Sequence, residues 1–154
     1  MVRQRIYIDT SVVGGYFDDE FSHDTIKLFE RIINNEFLVY LSEISMIELL
    51  PAPQRVRNIL NLIPPSNLII LDFTTEAKQL AENYISEKIL GAASIDDAYH
   101  IAIATINRID VLLSWNFRHI VNWDKIRLFN AINLLNGYPQ IEIRSPKDLR
   151  KYED

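Results

Sequence analysis

Three carboxylates, Asp9, Glu48 and Asp97, stand in settings that ordinary surface acids do not share. Asp9 closes the run Arg5-Ile6-Tyr7-Ile8, whose β-branched and aromatic residues read as a buried strand. Glu48 lies four residues after Ile44 and one after Ile47, which places it on the apolar stripe of its helix. Asp97 lies four residues before Ile101 and seven before Ala104, again on an apolar stripe. An ionised carboxylate that faces a core is costly unless a cation or several hydrogen bonds compensate it. Asp9 taken alone reads equally as a helix N-cap, and Asp97 falls in a first helical turn, where the dipole favours negative charge. Glu48 sits near a helix C-terminus and has neither excuse. Carboxylates gathered at one place repel one another unless a divalent cation neutralises them. Oxygen ligands suit Mg²⁺ or Mn²⁺, and a chain without cysteine offers little to zinc. His100, one turn beyond Asp97, carries metal-ligating atoms, but a single histidine on a packed helix reads first as a core or supporting group. Asp96 is turned from Asp97 by about 100° of helix rotation, so one member of the pair points inward.

The elements that must carry these residues alternate. Strands are expected at Arg5–Ile8, Phe37–Tyr40, Leu68–Leu71 and Val111–Leu113, with an edge strand near Gln140–Ile143. Between them, Thr10 and Ser11 are expected to cap a helix over roughly 12–19. A second helix carries Ile26, Phe29, Ile32 and Ile33, and Ser42 caps a third that bears Ile44, Ile47 and Leu50 and stops at Pro51. Further helices are expected over about 54–62, from Thr74 or Thr75 to before Gly91, over 94–106, and briefly after Asn116. Strand–helix alternation implies an α/β fold with a mostly parallel sheet of four to five strands between helical layers. Functional groups of such folds collect beyond the C-terminal strand ends, which puts Asp9 and Asn116 on one rim.

Composition agrees with this picture. The 154 residues are 48% hydrophobic and 24% charged, enough for one cored domain over 1–154 and too apolar for disorder. No apolar run approaches the roughly 20 residues of a membrane span, and the polar start at Met1–Arg5 shows no leader, so a cytoplasmic protein is expected. A net charge of -5 argues mildly against nucleic acid as a partner, although the local field around a cation-loaded site matters more than the total. Val12, Val13, Tyr16, Phe17, Phe21, Leu28 and Phe29 crowd the first helices, either as a partner surface or as a helical hairpin packed on itself.

The segments "IYIDTSVV", "SEISMIELL", "SIDDAYHIAIAT" and "VLLSWNFRHI", in that order and spacing, resemble the successive motifs of PIN-domain ribonucleases. The resemblance runs from Arg5 to about Ile120 and is nearest to the small single-domain toxins of the VapC kind. It implies a three-layer α/β/α sandwich whose acidic Mg²⁺ or Mn²⁺ site cuts single-stranded or looped RNA, leaving a 5′-phosphate and a 3′-hydroxyl. Asp9, Glu48 and Asp97 match the first three acids, and Thr10 the hydroxyl after the first. Asn116 stands where the family usually carries a fourth acid, so that it is the weaker metal ligand and one negative charge is missing. Asp9 and Asp97 would hold the metal, with Glu48 completing the site or orienting the water. Ser114 and Thr10 would contact phosphate or support the ligands, and Arg118 and His119, close after Asn116, read either as phosphate contacts or as an ordinary solvated helix start. The resemblance also implies a homodimer and a small antitoxin partner.

Two other classes compete. A catalytically weak or inactive RNA- or protein-binding module of the same fold follows from Asn116. A phosphatase with Asp9 as nucleophile needs a second Asp two residues on, where this chain has Ser11, and a receiver-type phosphoacceptor lacks its late lysine. Trp115 offers a base-stacking ring or ordinary packing. The basic tail of Lys147, Arg150 and Lys151 is interspersed with acids and is not assigned to RNA.

Overall fold

The computed structural model describes residues 3–149. Strand β1 (Gln4–Ile8) leads into α1 (Thr10–Gly15) and α2 (Ser22–Ile33), then β2 (Phe37–Ser42), α3 (Glu43–Leu49) and the short α4 (Gln54–Arg57). Next come β3 (Leu68–Leu71), α5 (Thr75–Ser86), α6 (Ile95–Ile106), β4 (Val111–Leu113), α7 (Trp123–Leu135) and β5 (Ile143–Arg144). The strands form one sheet in the order β3-β2-β1-β4-β5, and every pairing is parallel.

Side-chain alternation along the strands divides the core in two. Ile6 and Ile8 of β1, with Val39 and Leu41 of β2 and Leu113 of β4, pack beneath α1 and α2 against Val12, Leu28, Phe29 and Ile32. Tyr7 and Leu112 point to the opposite face, where Leu80 and Tyr84 of α5 and Ile101 of α6 cover them. A parallel sheet buried on both faces requires apolar strands, and these strands are apolar. The chain winds outward from β1 through β2 to β3, then returns to β1's other side with β4. Loops leaving the C-terminal ends of β1 and β4 therefore diverge at the switch point, the crevice where such folds bind ligands.

Several local expectations are corrected. The first helix starts at Thr10 and ends at Gly15, and its N-cap is Asp9, not Thr10 or Ser11. Ser42 does cap α3, in a reciprocal capping box with Ser45, but the buried face of α3 is Ile44, Ser45 and Leu49. Ile47 and Leu50 are 63% and 70% exposed, so Glu48 owes its inward position to its spacing from Ile44 alone. The helix over 54–62 becomes α4 followed by a 3₁₀ turn at Asn58–Leu62. Thr74, not Thr75, caps α5. No helix follows Asn116 directly. Its turn closes with Ile120 N–H donating to the Asn116 carbonyl at 3.1 Å, and the next helix is α7, which the sequence pattern had not singled out. The edge strand β5 is shorter than Gln140–Ile143 suggested.

The crowded apolar residues of the first helices mostly pack on one another. Val12, Val13, Leu28 and Phe29 are buried, and Phe17 is exposed at the rim. Among the described residues no helix is long and apolar enough to cross a membrane. Of the basic tail, Arg150 and Lys151 lie outside the described residues, as do Met1 and Val2 of the polar start.

Candidate active site

Asp9 occupies the switch point because β1 and β4 stay in register to their ends. Ile8 pairs with Leu113, and the next step of the ladder is Asp9 N–H donating to the Leu113 carbonyl at 3.2 Å. That step sets Asp9 beside Ser114. Asp9 is 4% exposed, and its Oδ1 accepts from Val12 N–H at 3.2 Å and from the Ser11 hydroxyl at 2.5 Å. Its Oδ2 accepts from the Ser114 hydroxyl at 2.5 Å. Both hydroxyls are themselves held, Ser11 Oγ by Trp115 N–H and Ser114 Oγ by Asn116 N–H, each at 2.9 Å. Their protons consequently point at the carboxylate, and about one of its four lone-pair sites stays open. Burial nevertheless lifts Asp9 above the usual carboxylate range. The His100 charge and the hydrogen bonds from Ser11, Ser114 and Val12 pull the other way.

Asp97, half-buried in the first turn of α6, is also lifted by burial and further by the charges of Asp9 and Glu48, against opposing effects from His100 and His119. The three expected acids therefore share one electrostatic neighbourhood. Asp96 is exposed, as the helix rotation predicts. Asn116 donates through Nδ2 to Asp97 Oδ2 at 3.3 Å, while its Oδ1 accepts from His119 N–H at 2.9 Å. The carbonyl oxygen that would ligate a metal is thus already closing its own turn.

Glu48 lies on the last turn of α3. Its Oε1 accepts from His100 Nε2–H, and its Oε2 accepts from Thr10 Oγ1 at 3.3 Å. His100 is 1% exposed, and its Nδ1 meets the Tyr7 hydroxyl at 2.6 Å, which in turn meets Ser42 Oγ at 2.7 Å. Burial alone would lower the imidazole, but Tyr7, Glu48 and Asp9 outweigh it and push His100 up to about 10. The compensation that Glu48 required is a buried imidazolium. Tyr7 was missed from sequence. The signal was a phenol flanked by Ile6 and Ile8, which needs a polar partner when buried.

Trp115 is packing: it stacks on Phe21 with ring centroids 4.3 Å apart and donates from Nε1 to Thr25 Oγ1 at 2.9 Å. Gly15 makes room for it, since a Cβ there would stand 2.8 Å from the indole. Arg118 is exposed on the same turn as His119, whose Nδ1 is buried without a hydrogen-bond partner. A cavity of about 530 Å³ lies elsewhere, between β5 and α7, and its lining includes none of the three acids.

The donor set suits a hard divalent cation. Burial lifts both Asp9 and Asp97 above the usual carboxylate range, and the side chains that face each other there are carboxylates and hydroxyls, hard oxygen donors. Glu48 is turned to His100, and among the described residues no three His, Asp or Glu side chains stand together in metal-holding geometry. The pair Asp9 and Asp97 is what the fold offers a metal directly.

A family profile described as "PIN domain" matches residues 6–119. Solved structures with the same fold include FitAcB from Neisseria gonorrhoeae, 18% identical over 94% of this chain and 99% of that one, with TM-score 0.58. VapBC2 from Rickettsia felis, bound to a DNA fragment from its promoter, is 14% identical over 92% and 98%, with TM-score 0.56. Mycobacterium tuberculosis VapC20, a sarcin–ricin-loop-cleaving toxin, is 14% identical over 88% and 98%, with TM-score 0.57. Among curated proteins nothing matches.

Proposed function

The chain belongs to the PIN domain family, and from that premise we propose that it is a Mg²⁺- or Mn²⁺-dependent endoribonuclease, the toxin of a toxin–antitoxin pair. The observation that carries the reading is the gathering of Asp9, Glu48 and Asp97 at the β1–β4 switch point, where the charges of Asp9 and Glu48 both raise the electrostatic cost of Asp97. When bound, the cation would polarise the scissile phosphate and supply a water of lowered pKa. Asp9 and Asp97 hold it, and the Ser11 and Ser114 hydroxyls keep Asp9 in one orientation. Glu48, fixed through Oε1, presents Oε2 to orient the attacking water, with Thr10 beside it. Exposed Arg118, on the turn that Asn116 closes beside Asp97, would meet the RNA phosphates.

The partner reading rests on similarity. Among structures of this fold, one from Klebsiella pneumoniae is a toxin–antitoxin complex, R. felis VapBC2 and FitAB were solved on DNA fragments, and VapC20 is a sarcin–ricin-loop-cleaving toxin. An acidic chain with net charge -5 suits a basic antitoxin segment, and by the same similarity we infer a cytoplasmic homodimer.

Asn116 favours a second reading, a binding module that holds RNA or protein without cutting it. Incubating the purified protein with single-stranded and looped RNAs separates the two. The nuclease reading expects cleavage only with Mg²⁺ or Mn²⁺, leaving 5′-phosphate and 3′-hydroxyl ends. Intact RNA in the presence of protein that demonstrably binds Mn²⁺ would establish the module instead.

A further inference from the structure

Helix α3 begins and ends on the same buried hydrogen-bonded chain. Its N-cap Ser42 and its N3 residue Ser45 are fully buried, and the Tyr7 hydroxyl reaches both, at 2.7 and 3.4 Å. The phenol then bonds His100 Nδ1 at 2.6 Å, and His100 Nε2–H donates to Glu48 at the far end of the helix. Tyr7 comes from the central strand β1 and His100 from α6, one turn after Asp97. The phenol and imidazole rings also meet edge to face, 5.6 Å between centroids. A polar chain sealed in a core has one low-energy arrangement, because every alternative leaves a buried donor or acceptor unpaired.

We propose that Tyr7 and His100 are positioning residues that fix the Glu48 carboxylate, with Oε1 committed inward and Oε2 turned to the hydroxyl of Thr10, the residue after Asp9. This rests on the nuclease reading for what Glu48 does, but not for how it is held. Without the chain, Glu48 is a half-exposed side chain with several open rotamers on the last turn of a short helix. With it, the orientation of one acid is set by the β1–β2–α6 interior and is built before any metal arrives. His100 thereby ties the second acid to the helix that supplies the third.

Four variants and one spectrum test this. His100→Leu removes the donor at similar volume, Tyr7→Phe removes one hydroxyl, and His100→Gln restores an N–H that can reach Glu48. Partners that orient active-site groups from behind typically cost about 10–100-fold when removed. His100→Leu is expected to lose that much in kcat while KM for RNA and the Kd for Mn²⁺ move less than about twofold. Tyr7→Phe loses less, and His100→Gln recovers most of the loss. In metal-free protein, the long-range ¹H–¹⁵N spectrum shows a protected His100 Nε2–H whose shift moves in Glu48→Gln. A folded His100→Leu with unchanged kcat overturns the proposal, as does an Nε2 signal indifferent to Glu48→Gln. If His100→Leu fails to fold, Tyr7→Phe and the spectrum decide. A coupled Nε2–H in a protein that cuts no RNA supports the anchoring and overturns the nuclease reading instead.

Discussion

The side-chain amide of Asn116 donates to Oδ2 of Asp97 at 3.3 Å. A carboxylate at this place would repel Asp97, which burial and the charges of Asp9 and Glu48 already lift above its usual range. The amide therefore lets the three acids coexist without a second cation. Asn116→Asp replaces an attraction by a repulsion while keeping the oxygen that caps the His119 turn. The metal-free variant is expected to melt below the wild type, and a Mn²⁺ titration by calorimetry is expected to show tighter or additional binding. An unchanged metal-free melting temperature contradicts this account of Asn116.

His100 carries the pH dependence. Its imidazole is raised from 6.5 in the unfolded chain to about 10 in the fold, so the folded state holds the extra proton across that window. The stabilisation is complete below the unfolded value and is lost as pH rises toward the folded one. Asp9 and Asp97, also raised, act with the same sign at lower pH, where protonation relieves the buried charges. Thermal melts of metal-free protein between pH 6 and 10 should fall steadily, and Glu48→Gln should flatten the slope. A wild-type profile that rises over this range refutes the assignment.

Packing behind the site makes a separate prediction. The indole of Trp115 lies against Gly15, where an added Cβ would come within 2.8 Å of two ring atoms and 2.9 Å of Thr25 Oγ1. Gly15→Ala must displace the ring or the helix, at about 1–3 kcal/mol. Because Trp115 N–H holds Ser11 Oγ, the shift should also loosen the hydroxyl that binds Asp9. Chemical denaturation measures the first effect and Mn²⁺ affinity the second; a neutral Gly15→Ala contradicts both.

Ser114→Ala removes the donor to Asp9 Oδ2. A hydrogen bond to a charged group contributes about 1.5–3 kcal/mol, and its loss disfavours ionised Asp9 further. Mn²⁺ binding by this variant should therefore need a higher pH than the wild type needs. Superimposable pH profiles of Mn²⁺ affinity would remove Ser114 from the site.

Much of this architecture is legible in the sequence because apolar period, helix caps and strand runs agree locally. Asp9, Glu48 and Asp97 stood out as acids in apolar settings, and the fold brings them together. What stayed hidden has physical reasons. Helix α5 stops at Ser86 and runs into left-handed Lys88, φ 61°, so Gly91 does not mark its end. Helix α7 exposes Leu128, Leu134 and Leu135, which blurs its apolar stripe. The pairing of Glu48 with His100 joins residues 52 positions apart, and Tyr7 joins His100 across 93, contacts that no local pattern encodes.

Asp9 and Asp97 are proposed to hold the metal of a ribonuclease site. The most direct test compares Mg²⁺-dependent RNA cleavage by the wild type with that by the Asp9→Asn, Asp97→Asn double variant, with circular dichroism to confirm the fold. The expected result is a folded double variant with no cleavage above background. Undiminished cleavage by that variant would falsify the site.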